Sequence, residues 1–151
     1  MLKMSAGILL FRFKNIKPEV LLFHPGGPYW AKKDAGVWSI PKGQLNEDED
    51  PLSAAKRELK EETGIDIKGK LIQLTPIKQK NNKTVFAWSL EQDFDLLNLK
   101  SNLFEIEWPP KSGKKMQFPE MDKGAWFTID EAKVKILPAQ LPFIIELEKM
   151  I

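Results

Sequence analysis

The residues from Gly43 to Ile65, GQLNEDEDPLSAAKRELKEETGI, contain four consecutive acidic residues followed by a segment rich in helix-forming side chains. Asp50 before Pro51 is a typical helix start, because Asp accepts hydrogen bonds from the first free amides and proline fits the first turn. Gly64 is a typical helix end, since glycine readily adopts the left-handed conformation there. These signals predict a helix over Pro51 to Thr63.

The predicted helix carries an acidic face. At about 100° per residue, Glu58, Glu61 and Glu62 fall within roughly a third of the helix circumference, where unpaired carboxylates repel one another. Hard divalent cations such as Mg²⁺ or Mn²⁺ prefer oxygen ligands and would offset that repulsion. A solvated helix with i,i+4 ion pairs, such as Arg57 with Glu61, explains the same pattern. Helix geometry alone leaves both interpretations open.

The order of residues around the acidic face resembles the Nudix box, G-x5-E-x7-R-E-U-x-E-E-x-G-U. All nine defined positions match: Gly43, Glu49, Arg57, Glu58, Leu59, Glu61, Glu62, Gly64 and Ile65. The similarity extends to Ser39–Gly43 before the box and to the Trp126–Phe127 pair near the end. The chain is therefore identified as a member of the Nudix hydrolases, and the resemblance covers most of its length.

This resemblance implies an α/β (α+β) fold, an α/β/α sandwich around a mixed β-sheet. It also implies metal-dependent hydrolysis of a nucleoside diphosphate linked to another group, with Mg²⁺ as cofactor and Mn²⁺ as a substitute. The implied metal ligands are three carboxylates and one backbone carbonyl, those of Glu58, Glu61, Glu62 and Lys42. Two side chains, Glu49 and Arg57, would orient the acidic helix, because a guanidinium fork suits a carboxylate. Gly43 and Gly64 are expected to be turn residues that support the box.

The catalytic residues expected from the resemblance are Glu58, Glu61, Arg57 and Glu120. Glu120 is the candidate base, because it precedes the predicted last strand, where several Nudix proteins place a carboxylate. Its rivals are Asp122, Glu105 and Glu107.

Substrate contacts are expected from two loops, His24–Gly36 and Pro109–Glu120, which are dense in Pro, Gly and Lys. Tyr29 or Trp30 could stack on a base, and Lys33 could counter phosphate charge. Lys42, directly before the box, is the stronger candidate for phosphate contact. The single histidine, His24, lacks a visible Ser or Asp partner at a recognisable motif spacing and is interpreted as structural.

The rest of the chain predicts strands interspersed with helices. The predicted strands are 4–13, 19–23, 37–40, 70–77, 84–90, 104–108 and 124–128, and the remaining predicted helices are 130–135 and 138–150. A length of 151 residues, 42% of them hydrophobic, favours one domain over residues 1–151.

Charge and composition limit the partners. The net charge of +2 gives no sign of a large nucleic-acid surface, and no apolar run is long enough to span a membrane. A nucleotide or nucleotide derivative is the expected partner, the cytoplasm is the default location, and a homodimer is compatible with the family resemblance.

Substrate identity stays open. Diadenosine polyphosphate hydrolases often carry a tyrosine beyond the box, but the corresponding positions here, 81–83, contain no tyrosine. ADP-ribose hydrolases often carry a proline beyond the box, and Lys80 stands at that position here. The segment Trp38–Gly43 resembles enzymes that act on polyphosphorylated nucleotides. A nucleoside triphosphate or dinucleoside polyphosphate is therefore the expected substrate, as in bacterial NTP pyrophosphohydrolases. The alternative is a non-catalytic Nudix domain that senses a nucleotide or binds a protein.

Overall fold

The computed structural model describes residues 3–151, so Met1 and Leu2, which the single-domain prediction includes, lie outside the described residues. The strands are β1 (Lys3–Lys14), β2 (Lys17–Pro25), β3 (Lys42–Gln44), β4 (Leu71–Gln73), β5 (Ile77–Gln79), β6 (Lys83–Glu91), β7 (Leu103–Glu107), β8 (Lys115–Pro119) and β9 (Met121–Thr128). The α-helices are α1 (Pro51–Thr63), α2 (Ile129–Lys135) and α3 (Leu141–Met150), and short 3₁₀ turns occupy Leu96–Asn98 and Pro138–Gln140.

Most strands form one mixed sheet in the order β4-β6-β1-β2-β9, with β3 paired to β1 and β5 paired to β6. β1 runs parallel to β6 and antiparallel to β2 and β3. β7 and β8 form a separate antiparallel pair. The mixed sheet confirms the predicted fold class.

The two faces of the sheet carry different helices. Alternate residues of β1 point to opposite faces, so Ala6, Ile8 and Leu10 pack with α1 while Leu9 and Phe11 pack with α2 and α3. Because the central strand is buried on both faces, its sequence is almost continuously apolar. The result is the α/β/α sandwich that the resemblance implied.

Helix α1 begins and ends as its sequence predicts. The Asp50 carboxylate accepts a hydrogen bond from the Ser53 amide at 3.0 Å, and Gly64 caps the other end at φ 70°. Ala54, Ala55 and Leu59 are buried against the sheet. This packing fixes the direction in which the acidic face of the helix points.

Four predicted segments differ from the structure, the first three because strand pairing depends on distant partners. The predicted strand at 37–40 makes only isolated bridges, and the strand lies instead at β3, where β1 offers a partner. The predicted strand at 70–77 is divided into β4 and β5, each paired to β6. Part of the predicted loop 109–120 is strand β8, which pairs with β7. Helix 138–150 begins as a 3₁₀ turn.

Within residues 3–151, no helix is both long enough and apolar enough to cross a membrane.

Candidate active site

Arg57 is the centre of an ion-pair network that joins α1 to the loop before it. Its guanidinium donates two hydrogen bonds to the Glu49 carboxylate, at 2.9 and 3.0 Å, and one to the Gln44 carbonyl at 3.1 Å. The bond from Arg57 is the main reason that the pKa of Glu49 is lowered. This two-point contact supports the predicted role of Glu49 and Arg57 in orienting the helix.

Arg57 also contacts two glutamates of the acidic face. Its Nη1 atom donates to Glu58 at 3.0 Å and lies 3.5 Å from Glu61. The i,i+4 ion pair between Arg57 and Glu61, which a solvated helix would also contain, is therefore present. Glu61 keeps 42% of its side chain exposed, so this pair leaves it accessible.

Glu62 lies in a different environment. It is 3% exposed, and its Oε2 atom is buried without a hydrogen-bond partner. Burial, followed by the charges of Glu58, Glu120 and Glu61, raises the pKa of Glu62 to about 8. The interpretation of α1 as a solvated helix with i,i+4 ion pairs requires solvated or paired charges. It does not account for a buried and unpartnered carboxyl.

Gly43 lies in β3, where a side chain would overlap the Glu58 carboxylate. Its φ lies outside the left-handed region, whereas Gly64 has φ 70°. The expectation that both glycines are turn residues is therefore right for Gly64 and wrong for Gly43. Gly43 instead allows close approach between the strand and Glu58.

Burial is the main cause of the raised pKa of Glu58, and the hydrogen bond from Arg57 opposes this increase.

Glu120 joins the carboxylates of α1 although it is 58 positions beyond Glu62 in the chain. Its charge contributes to the raised pKa of both Glu62 and Glu58. Glu62 and Glu120 line one cavity, here termed the carboxylate cavity, with Phe23, Pro25, Ser39, Ile40, Pro41, Lys42 and Met121.

The rivals of Glu120 have other surroundings. Asp122 bonds to His24, and Glu105 pairs with Lys115 at 3.9 Å. Glu107 lies on β7 opposite Lys115. Of the four candidate bases, Glu120 is the one that lines the carboxylate cavity.

The predicted aromatic contacts lie outside the lining of the carboxylate cavity. Tyr29 packs edge-on against Trp108, with ring centroids 5.2 Å apart. The Lys33 ammonium lies 4.9 Å from the centre of the Trp30 ring. Tyr29 and Trp30 are 58% and 39% exposed, so both present apolar surface to solvent. Their contact with substrate stays a prediction.

His24 has an acidic partner that sequence spacing did not reveal. Its Nδ1 atom lies 2.9 Å from the Asp122 carboxylate, and its Nε2 atom lies 2.6 Å from the Lys33 carbonyl. The side chain is buried and packs edge-on against Trp38. His24 thus ties the loop after β2 to β9, which agrees with a structural role.

The donor set fits a hard divalent cation. In the described part of the chain, no three carboxylate or imidazole side chains converge on one point as they stand. Glu58 and Glu61 are instead held by Arg57. Once ionised, however, Glu62 needs a positive partner at its unpartnered oxygen, and the carboxylates around it offer only oxygen ligands, which Mg²⁺ and Mn²⁺ prefer.

Solved structures with the same fold include Nudix proteins. A Caenorhabditis elegans Ap4A hydrolase binary complex superposes with a TM-score of 0.65 at 20% identity, over 97% of this chain and 96% of that one. The NUDIX domain of Shewanella oneidensis NrtR complexed with ADP ribose gives 0.66 at 15% identity, over 99% and 88%. At these identities the likeness is one of fold.

Sequence relatives point the same way. Nudix hydrolase 7 of Arabidopsis thaliana is 30% identical over 112 residues, 70% of this chain but only 38% of that protein. An RNA pyrophosphohydrolase of Bartonella henselae is 39% identical over 57 residues, 30% of this chain and 33% of that protein. The chain thus matches about a third of the length of each relative. The family model for the NUDIX domain matches residues 1–147, so the chain belongs to the NUDIX family.

Proposed function

We propose that this protein is a metal-dependent pyrophosphohydrolase that cleaves a phosphoanhydride bond in a nucleoside triphosphate or dinucleoside polyphosphate. The observation that carries the proposal is the buried Glu62 carboxyl, unpartnered at Oε2 and surrounded by the charges of Glu58, Glu61 and Glu120. A fold does not gather like charges around a buried carboxyl for stability, because each of them raises the cost of ionising it.

The residues that would hold the cation are Glu58, Glu61 and Glu62, with the backbone carbonyl of Lys42. A bound divalent cation supplies charge neutralisation on phosphate oxygens and lowers the pKa of water. Lys42 and Glu62 line the same cavity, so the carbonyl and the carboxylate belong to one site in this proposal.

The other residues position these ligands and handle the proton. Arg57 holds Glu58 in place while Glu49 fixes the guanidinium from the other side. Glu120, an exposed residue in the lining of the carboxylate cavity, is proposed to accept a proton from the attacking water at its carboxylate. The phosphoryl group is then attacked in line, and the phosphoanhydride oxygen leaves.

The relatives support the reaction class more strongly than any one substrate. Their names include an RNA pyrophosphohydrolase and an Ap4A hydrolase, which act on different molecules that both carry phosphoanhydrides. We further propose that residues 1–151 form one NUDIX domain, because both apolar cores of the described residues are built on the same sheet.

The test is product release from a nucleotide panel, resolved by chromatography, with Mg²⁺ and with Mn²⁺. Wild type, Glu61→Gln and the control Glu47→Gln should be compared. Glu47 has the same chemistry and lies on the exposed loop before α1, outside the carboxylate set. We expect metal-dependent cleavage in wild type and Glu47→Gln, and its loss in Glu61→Gln.

The second candidate is a NUDIX domain that binds a nucleotide without hydrolysing it. The structural likeness to the NrtR domain complexed with ADP ribose is the observation that favours it. Tight nucleotide binding by a folded wild-type protein, with no product under either metal, would establish this function in place of hydrolysis.

A further inference from the structure

A second cavity lies next to the carboxylate cavity and is lined by three lysines. Its lining residues are Lys3, Lys42 and Lys83, with Met4, Ser5, Gly43, Gln44, Gln79 and Val85. This lysine cavity contains no acidic side chain in its lining. Apart from Met4 and Val85, its side chains are positively charged or uncharged and polar, or glycine.

Strand register places the three lysines on one face of the sheet. Lys3 of β1 is directly opposite Lys83 of β6, and Lys42 of β3 is directly opposite Gly7 of β1. Residues 3 and 7 of one strand share a face. Gly7 has no side chain, and an added Cβ there would overlap the Pro41 carbonyl oxygen and lie 2.9 Å from the Lys42 Cβ. The backbone of Pro41 and the start of the Lys42 side chain therefore occupy the space that a side chain would need.

This arrangement is electrostatically unfavourable by itself. Like charges directly opposite each other on neighbouring strands destabilise a sheet. No ion pair found among residues 3–151 involves any of the three lysines. The cavity therefore has an excess of positive charge that an anion would balance.

The lysine cavity and the carboxylate cavity meet at β3. Lys42 lines both of them. Gly43, its neighbour, lines the lysine cavity and lies against the Glu58 carboxylate. Because Lys42 and Gly43 face opposite sides of β3, an anion in the lysine cavity would lie across this strand from Glu58 and would reach the carboxylate cavity at Lys42, where the strand begins.

We infer that the lysine cavity binds phosphate groups of a polyphosphate chain that lie beyond the cleaved linkage. This inference rests on the proposed function for the nature of the ligand. It implies that substrates with three or more phosphates bind better than compounds in which two phosphates join a nucleoside to a sugar. Gln44 and Gln79 would add amide donors to the ammonium groups.

Binding can be measured without catalysis. Inorganic tripolyphosphate should be titrated calorimetrically into the full chain with EDTA present, for wild type, Lys83→Gln and Lys78→Gln. Lys83 is exposed at the start of β6, so its replacement leaves the cores intact. Lys78 is the matched control, because it lies on neighbouring β5 at the position next to Gln79 and therefore faces the other side.

We expect Lys83→Gln to weaken tripolyphosphate binding about tenfold, as for loss of one charge-assisted hydrogen bond, and Lys78→Gln to match wild type. Wild-type affinity should fall as salt is added. No binding by wild type, or equal weakening by the two variants, would overturn the site.

A kinetic comparison tests the ligand assignment. With the same variants, kcat/KM should be measured for diadenosine tetraphosphate and for ADP-ribose. Lys83→Gln should lower the first about tenfold relative to the second. Equal effects on both substrates would overturn the assignment to distal phosphates. Tripolyphosphate binding together with absence of all turnover would instead refute the proposed hydrolysis and leave an anion site.

Discussion

Glu62 is the residue whose ionised side chain most clearly lowers the stability of the fold. Its carboxyl is buried among three other carboxyl groups, and one oxygen lacks a partner. Removing an ionised carboxylate from water is costly unless a positive group compensates it. In the absence of a cation, the neutral form of Glu62 therefore suits the fold better than the charged form.

Glu62→Gln should reveal this cost through the pH dependence of stability. The folded-state pKa of about 8 lies above the ordinary value of 4.5. The stability contributed by Glu62 is therefore complete below pH 4.5 and is lost as pH rises through about 8. With EDTA present, we expect the Gln variant to exceed wild type above pH 8 by on the order of 5 kcal/mol in the free energy of unfolding.

Urea denaturation across this pH range measures the difference between the two proteins. Below pH 4.5 the two curves should converge. Added Mg²⁺ should raise the stability of wild type more than that of the variant, because the variant lacks one of the three proposed carboxylate ligands. A variant that is less stable than wild type at every pH would contradict this account.

Gly43→Ala tests the close approach of strand and carboxylate. The new methyl group would overlap the Glu58 carboxylate, so this side chain would have to leave its contact with Arg57, and φ at this position is not left-handed. We expect kcat to fall at least about tenfold while the free energy of unfolding changes by less than about 1 kcal/mol. Steady-state kinetics and urea denaturation test the two parts. Unchanged turnover would show that the position of Glu58 is not critical.

At the scale of elements, the α1 helix and the loop before it act as one unit because Arg57 connects them. The guanidinium bonds to both oxygens of Glu49, to the Gln44 carbonyl and to Glu58. A lysine at this position has one compact ammonium group and cannot make the same set of contacts.

Arg57→Lys should therefore lower both stability and activity. We expect a loss of about 1–2 kcal/mol in the free energy of unfolding, with a fall in kcat, because Glu58 loses its support. The matched control is Arg12→Lys, which disturbs the comparable contacts of Arg12 with Glu19 and Asp93. The control should lower stability without changing kcat. Equal kinetic effects in the two variants would show that Arg57 acts only through general stability.

The elements that sequence predicts best are those with local signals. Helix α1 has its cap, proline and terminal glycine within a single stretch, and its predicted bounds are confirmed. Strand β8 reads KMQFP, a short and mostly exposed segment that ends in proline. Its strand conformation depends on pairing with β7, and a short, mostly exposed segment gives little sign of such pairing.

In the candidate site too, the contacts within a local motif could be predicted from the sequence, and those between distant residues could not. The box spacing predicted the carboxylates of α1 and the Arg57–Glu49 contact, since all lie within one local motif. The partnership of His24 with Asp122 spans 98 positions, and the lysine cavity depends on strand register. No spacing along the chain specifies either of them.

At the scale of the whole molecule, the segment before the box is tied to the far end of the chain. Gln140 is fully buried, and its side-chain carbonyl accepts a hydrogen bond from the Ile40 amide at 3.1 Å. Its side-chain NH₂ group donates to the Ser39 hydroxyl at 3.0 Å. Ser39 and Ile40 both line the carboxylate cavity. One side chain thus connects the turn before α3 to the wall of the candidate site.

Gln140→Leu removes these bonds while keeping a side chain of similar size, so the Ile40 amide is left buried without its acceptor. We expect the free energy of unfolding to fall by about 1–3 kcal/mol, the usual cost of an unsatisfied buried donor. Because the cavity wall loses its support, KM should rise while kcat changes less. Urea denaturation and steady-state kinetics test this, with the exposed Gln73→Leu as control. An increase in KM of the same size in the control would exclude a specific link between the turn before α3 and the site.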